Sequence, residues 1–349
     1  MPRTVYLIRH AMPDIPIGER WCIGGRTDLP LGDLGRLQAA LLSFQPELKS
    51  LSAVFCSKLI RARETALPLS PAPRAMSGLE EQDMGEWDGL PFSEIKARFP
   101  ALYAAREQNA DLLPEGAESG EALRGRMKDA VYRCLNESVG DIAIVSHKSA
   151  IAALTGQRSR LGYASVTPLV FDGDSFSVEA VGIPPHPALT DAVCFSLLRA
   201  AGADEKLMAH SLAVAEQAVR LCDAVHQKGL SLDRELIGRA ALLHDLAKGR
   251  PRHPALGAVW LTELGYPDEA ALVRQHNEPE APGLNEAAIV FLADKTVRGD
   301  TLVTLEDRFA ATRERCRTPE AREAHCRRLN KALALKEELN TLCAAELIR

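Results

Sequence analysis

Residues 182–190, GIPPHPALT, set three prolines in a short stretch with no hydrophobic period, and nothing else in the chain constrains the fold as strongly. Proline fixes φ and has no backbone N–H, so neither a helix nor a central strand runs through such a segment. The stretch predicts a linker that divides the 349 residues into two units, in keeping with a prior of ~150 residues per domain. Before it, short β-rich runs at 4–8, 53–56, 141–146, 166–171 and 175–181 alternate with helical patterns near 33–44, 59–69, 93–106 and 118–135. That alternation predicts an α/β unit, a mostly parallel sheet with helices on both faces. After it the pattern is helical, with Leu207, His210, Val214, Leu221 and Val225 on one stripe and Leu242 to Ala247 as another compact apolar helix. The expected division is 1–183, a linker at 184–190, and an all-α unit at 191–349.

Composition removes several classes of function. A formal net charge of -5 argues against nucleic-acid binding, which shows as a basic excess. The eight cysteines include no C-x-x-C pair and read as reduced thiols. No apolar stretch approaches the ~20 residues of a membrane span, and a first strand beginning near Thr4 gives no expectation of a signal peptide. A cytoplasmic protein with no membrane partner is expected, and the sequence sets no oligomeric state.

The chemistry of the first half lies where its strands end. Arg9-His10 follows the first run, CSKLIRARETA with Arg61 follows the second, and IAIVSHKSA ends another in His147. LEEQDMGEWDG offers Glu81 before a glycine-bounded turn. Open α/β sheets bind ligands at the carboxyl ends of strands, and arginine's rigid fork suits phosphate oxygens. A histidine among arginines stays neutral, and a neutral imidazole is a competent nucleophile. Ser57 is placed to cap the helix that carries Arg61.

These residues resemble the histidine phosphatase superfamily, the phosphoglycerate-mutase-like fold, over about 1–183. Arg9-His10-Ala11 stands for that family's Arg-His-Gly, Ser57 to Ala62 for Ser-x-x-x-Arg-Ala, and Leu79, Glu81, Gly85, Trp87 and Gly89 for its acidic motif. The resemblance implies that His10 takes the phosphoryl group, Glu81 protonates the leaving oxygen, and Arg9, Arg61 and His147 hold the phosphate, without a cofactor. GGRTDLPLGDLGRLQA also matches, implying a substrate contact by Arg26, and the segment 20–28 is most similar to the alpha-ribazole phosphatase branch. Ala11 and Lys148 depart from glycines common in the family. The implied substrate is a small phosphorylated metabolite. A phosphomutase is the alternative, although a mutase needs a site closed to water and the insertion after Glu81 is modest.

In the second half His210, His244-Asp245 and Asp294 fall on helical segments. Asp294 lies in IVFLADKTV, where an unpaired carboxylate is expensive. Two imidazoles and two carboxylates suit Mn, Fe, Mg or Zn. His253 and His276 are further candidates, the first equally readable as a helix cap before Pro254. The set resembles the HD-domain phosphohydrolases over about 205–310, which implies a divalent ion (Mn, Fe or Mg, one or two), a nucleotide-like phosphate ester as substrate, and Lys248 as a phosphate contact. The alternative is a ligand-sensing module regulating the phosphatase.

Overall fold

The computed structural model describes residues 2–109, 111–157, 161–314 and 316–348, and divides into two compact units, 1–187 and 188–349. The first carries a six-stranded sheet. Its elements run β1 (Arg3–Arg9), α1 (Asp33–Leu42), β2 (Ala53–Cys56), α2 (Ile60–Ala66), β3 (Arg74–Ala75), α3 (Phe92–Arg98), α4 (Pro100–Gln108), α5 (Gly120–Asn136), β4 (Ile142–Ser146), α6 (Lys148–Thr155), β5 (Val166–Phe171) and β6 (Phe176–Val178). The order is β3-β2-β4-β1-β5-β6, with β1 to β4 parallel and β5 and β6 antiparallel. Every residue of β4 is buried, as a strand covered on both faces requires. One core packs α5 and α6 against the sheet through Met127, Val131 and Ile151, and another packs α1 and α2 through Leu42 and Ala62.

The register decides the site. Arg9 pairs with Ser146 across β1 and β4, and the His10 N–H bonds the Ser146 carbonyl at 2.8 Å. The next residue on each strand therefore emerges at the same edge, which puts His10 beside His147. Cys56 of β2 pairs with Val145 of β4, so α2 and Arg61 start from that edge too.

Two expectations for this unit need correction. The helix foreseen over 93–106 is two, α3 and α4, because Pro100 excludes its predecessor Phe99 (φ −127°, ψ 51°) from the helical region. Ser57 does not cap α2; Asp28 does, its carboxylate accepting the Ile60 N–H at 2.6 Å.

The second unit is helical: α7 (Asp191–Ala200), α8 (Glu205–His226), α9 (Arg234–Leu243), α10 (His253–Glu263), α11 (Pro267–Gln275), α12 (Glu286–Lys295), α13 (Leu305–Arg313) and α14 (Pro319–Cys343), with a small hairpin of β7 (Val297–Arg298) and β8 (Thr301–Leu302). Side-chain caps by Thr190, Asp204, Asp233, Asn285, Thr304 and Thr318 start six of these helices. Helix α12 is buried from Ala287 to Lys295 and runs through the core among Leu221, Ile237 and Leu335. The apolar helix foreseen over 242–247 does not form: α9 stops at Leu243, and His244 to Gly249 make turns. Among the described residues no helix is long and apolar enough to cross a membrane.

Candidate active site and candidate metal centre

At the strand edge of the first unit His10 is buried, and its Nδ1 lies 2.7 Å from the Ala11 carbonyl. A carbonyl only accepts, so Nδ1 carries the proton and Nε2 presents a lone pair. Burial, then the positive charges of Arg61 and Arg9, hold the His10 imidazole well below its ordinary pKa. His147 is depressed likewise by burial and by His10, Arg61 and Arg9. The two rings stand 4.9 Å apart by centroid, and Tyr163 lies 5.8 Å from His10.

Two arginines frame this pair. The Arg9 guanidinium donates to the Leu161 carbonyl at 2.8 Å and lies 3.9 Å from the Tyr163 ring centroid. Arg61 is fully buried and donates to the carbonyls of Thr27 (2.6 Å) and Gly24 (3.1 Å). Nε of both arginines and both ring nitrogens of His147 are buried with no hydrogen-bond partner. A buried polar atom left unsatisfied costs ~1–3 kcal/mol, and a tetrahedral oxyanion repays such donors together. The carboxylate of Glu81 accepts N–H groups from Gln82 (2.8 Å), Ser149 (3.1 Å) and Ala150 (3.3 Å), and its charge acts on both Arg9 and Arg61.

Sequence motifs explain some of this scaffolding. Asp88, inside GEWDG, accepts the N–H groups of Gly24 and Arg26 and the Thr27 hydroxyl, fixing the loop whose carbonyls hold Arg61. A Cβ on Gly85 (φ +56°) would meet the Glu115 carbonyl at 2.0 Å. Arg26 is not gathered with the others. Its side chain is 59% exposed, pairs with Asp83 at 2.8 Å, and bonds the Gly116 carbonyl, with no hydrogen bond or ion pair to Arg9, His10, Arg61 or His147 among the described residues. Sequence reasoning missed Tyr163, which no motif marks. It also missed Arg126, whose guanidinium grips Glu118 twice and donates to the carbonyls of Gly78, Glu80 and Glu81. Its spacing to Glu118 was the available signal.

In the second unit all six candidate ligands come together. One ligand atom from each of His210, His244 and Asp294 lies within 4.8 Å of the others, and the same holds for Asp245, His253 and His276. The carboxylate of Asp245 joins the sets, with Oδ2 3.3 Å from His244 Nε2 and Oδ1 3.1 Å from His253 Nε2. His210, His244 and His276 each bond a backbone carbonyl through Nδ1, of Gly299, Ala241 and Val273, at 2.7–2.8 Å. That fixes the tautomer and turns Nε2 inward as a ligand, the arrangement metal-binding histidines take. His244 Nε2 and Asp245 Oδ1 are buried without a hydrogen-bond partner. Burial and His244 push the His276 imidazole down to about 3, so it is neutral. Burial works to raise the Asp294 carboxyl, but Lys295 and the histidines hold it well below its ordinary value. The residues therefore fit divalent ions. Lys248 bonds Asp245 at 2.6 Å, and Lys295 bonds Asp294 and Asn277. A cavity of about 290 Å3 opens beside them, with Lys248, Lys295, Arg308 and Arg328 in its wall.

The profile of the histidine phosphatase superfamily (branch 1) matches residues 5–184. The chain belongs to that superfamily. It is a phosphatase, and the HD domain profile matches residues 207–299 of its helical half. The glucosyl-3-phosphoglycerate phosphatase of Mycobacterium tuberculosis is 27% identical over 176 residues, covering 47% of this chain and 78% of the relative. Bifunctional protein Rv2228c of that organism is 29% identical over 162 residues, 44% of this chain and 43% of its own length. Among solved structures, a mycobacterial glucosyl-3-phosphoglycerate phosphatase complexed with VO3 aligns at 25% identity and a TM-score of 0.47, covering 52% of this chain and 99% of that one. The alpha-ribazole phosphatase of Shigella flexneri aligns at 21% identity and 0.45, covering 51% and 96%.

Proposed function

We propose that the chain is a two-domain phosphohydrolase, with domains at 1–183 and 191–349 joined by 184–190. The first is a phosphomonoesterase for a small phosphorylated metabolite, working through a phosphohistidine. The observation that carries this reading is the His10 Nδ1–Ala11 bond, which leaves Nε2 as a lone pair among buried, unpartnered cationic donors. Nε2 attacks phosphorus as the bond to the leaving oxygen breaks, and Glu81, having taken the proton of the monoanionic phosphate ester on binding, passes it to that oxygen. Arg9, Arg61 and His147 hold the three remaining oxygens, where charge accumulates. Water then attacks the phosphohistidine, Glu81 takes its proton, and phosphate leaves with His10 neutral again. Arg26, paired with Asp83 and 59% exposed, stays free to meet the rest of the substrate.

The helical domain is the second phosphohydrolase, for a nucleotide-like ester. His210, His244 and Asp294 would hold one divalent ion and Asp245, His253 and His276 another, and such ions supply Lewis acidity toward a phosphate ester. Lys248 extends from the same wall to meet the phosphate. The test is metal content with phosphatase rate. Wild type supplied with Mn or Fe retains stoichiometric metal and Asp245→Ala loses it, along with thermal stability, because metal bound only to the folded chain stabilises it. Hydrolysis of 4-nitrophenyl phosphate at His10 continues in chelator. A wild type that binds no metal would reduce the helical half to a sensor or a structural partner.

A further inference from the structure

Residues 161–165, just before β5, meet Arg9 and His10 through both backbone and side chain. The Leu161 carbonyl accepts from the Arg9 guanidinium at 2.8 Å, and the carbon of that guanidinium lies 3.9 Å from the Tyr163 ring centroid. The Ala164 N–H donates to the His10 carbonyl at 3.3 Å, and the Ser165 carbonyl accepts the Arg9 N–H at 3.0 Å. Ser165 returns its own N–H (3.3 Å) and its hydroxyl (2.8 Å) to the Gly162 carbonyl, which closes 162–165 into a turn. At the third place of that turn Ala164 has φ +55°, a left-handed conformation that favours glycine. Alanine holds it because its methyl is buried in the core with Ile8 and Val166 while its N–H is engaged by His10. Strain kept in place by surrounding contacts collects at functional sites, and here the strained turn carries Tyr163 against Arg9.

A guanidinium donates in its own plane, so the setting of that plane decides which oxygens it can hold. Leu161 pins one nitrogen of the Arg9 fork and Tyr163 covers a face, which leaves the buried, unpartnered Nε as a donor of fixed direction. We propose that Tyr163 is a positioning residue of the phosphatase reaction, its ring fixing the guanidinium plane of Arg9 and, through Arg9, the grip on the phosphoryl group. An aromatic face suits this task because it attracts the cation without occupying its N–H donors, whereas a carboxylate partner would take those donors and offset the charge. The proposal rests on the phosphate-holding role given above to Arg9.

The experiment is a double-mutant cycle on the full chain in chelator, read as kcat/KM on 4-nitrophenyl phosphate. Calorimetric binding of orthovanadate, which mimics phosphorus in transfer, repeats the cycle without turnover, and thermal unfolding of each variant checks the fold. Tyr163→Leu lowers kcat/KM and vanadate affinity by about tenfold or more, because a misdirected donor forfeits the oxygen it served. Tyr163→Phe keeps the ring face and recovers most of that loss. Arg9→Lys keeps a charge but has no plane to orient, so in that background Tyr163→Leu costs less than about threefold. Equal losses in the two backgrounds would make Tyr163 merely structural and overturn the proposal. A Tyr163→Leu with the wild-type rate, or a Tyr163→Phe as slow as Tyr163→Leu, would overturn it as well. An Arg9→Lys with full wild-type kcat/KM would instead remove the role of Arg9 itself, and the proposal with it.

Discussion

The carboxylate of Glu81 accepts the backbone N–H of Ser149 through both of its oxygens, at 3.1 and 3.2 Å. Ser149 lies in the first turn of α6, two residues after its N-cap His147, so one helix start aligns the proton donor with the phosphate-holding histidine. Glu81→Gln keeps an oxygen to accept these bonds and removes only the transferable proton. It should slow alkyl phosphates by ~10²–10⁴-fold and 4-nitrophenyl phosphate far less. Steady-state rates on both classes check this, and equal losses would make Glu81 a structural residue.

Arg126 is expected to matter as a positioning residue. It holds the carbonyls of Gly78, Glu80 and Glu81 and is itself held by Glu118, and each bond to a charged group contributes ~1.5–3 kcal/mol. Arg126→Ala should therefore lower kcat on alkyl phosphates much more than on 4-nitrophenyl phosphate, because Glu81 loses its aim while His10 is untouched. Arg126→Lys should restore part of the rate. A uniform loss on both substrates, unrescued by lysine, would contradict this role.

The depressed pKa values of His10 and His147 carry a pH signature. Both are neutral when folded, yet protonate near pH 6.5 when the chain unfolds. As pH falls below that value the unfolded state binds more protons, so the stability of the first unit should decrease from about pH 6.5 downward. Hydrogen exchange of β1 and β4 amides between pH 7.5 and 5 measures this. His147→Gln should flatten the slope, and a variant with the wild-type slope would contradict the assignment.

Much of the site was legible in sequence because its chemistry is written at strand ends. Arg9-His10 and His147 follow short apolar runs that read as buried strands, and the in-register pairing of β1 with β4 brings them together. Of the six metal candidates, His210 could be chosen from its helical stripe and Asp294 from its apolar surroundings, while the others rested on residue type and the family resemblance. What escaped depends on contacts distant in the chain. Arg126 meets the Glu81 loop 45 residues away, and Asp28 caps a helix 32 residues on. The His244-Asp245 pair looked helical because Leu242 to Ala247 is apolar, but both side chains are drawn to the ligand cluster, and the chain turns there instead. Arg26 carried a family match, and it pairs with Asp83 at the surface, apart from the strand-end cluster.

The most direct test of the central claim is rapid acid-free quenching of the full-length protein with ³²P-labelled substrate, followed by mapping of the label. Wild type should trap an acid-labile phosphoryl group on His10, and so should Asp245→Ala, because the helical half takes no part in that step. His10→Ala should trap none and hydrolyse nothing at this site. Label retained by His10→Ala, or found on another residue of the wild type, would contradict the account.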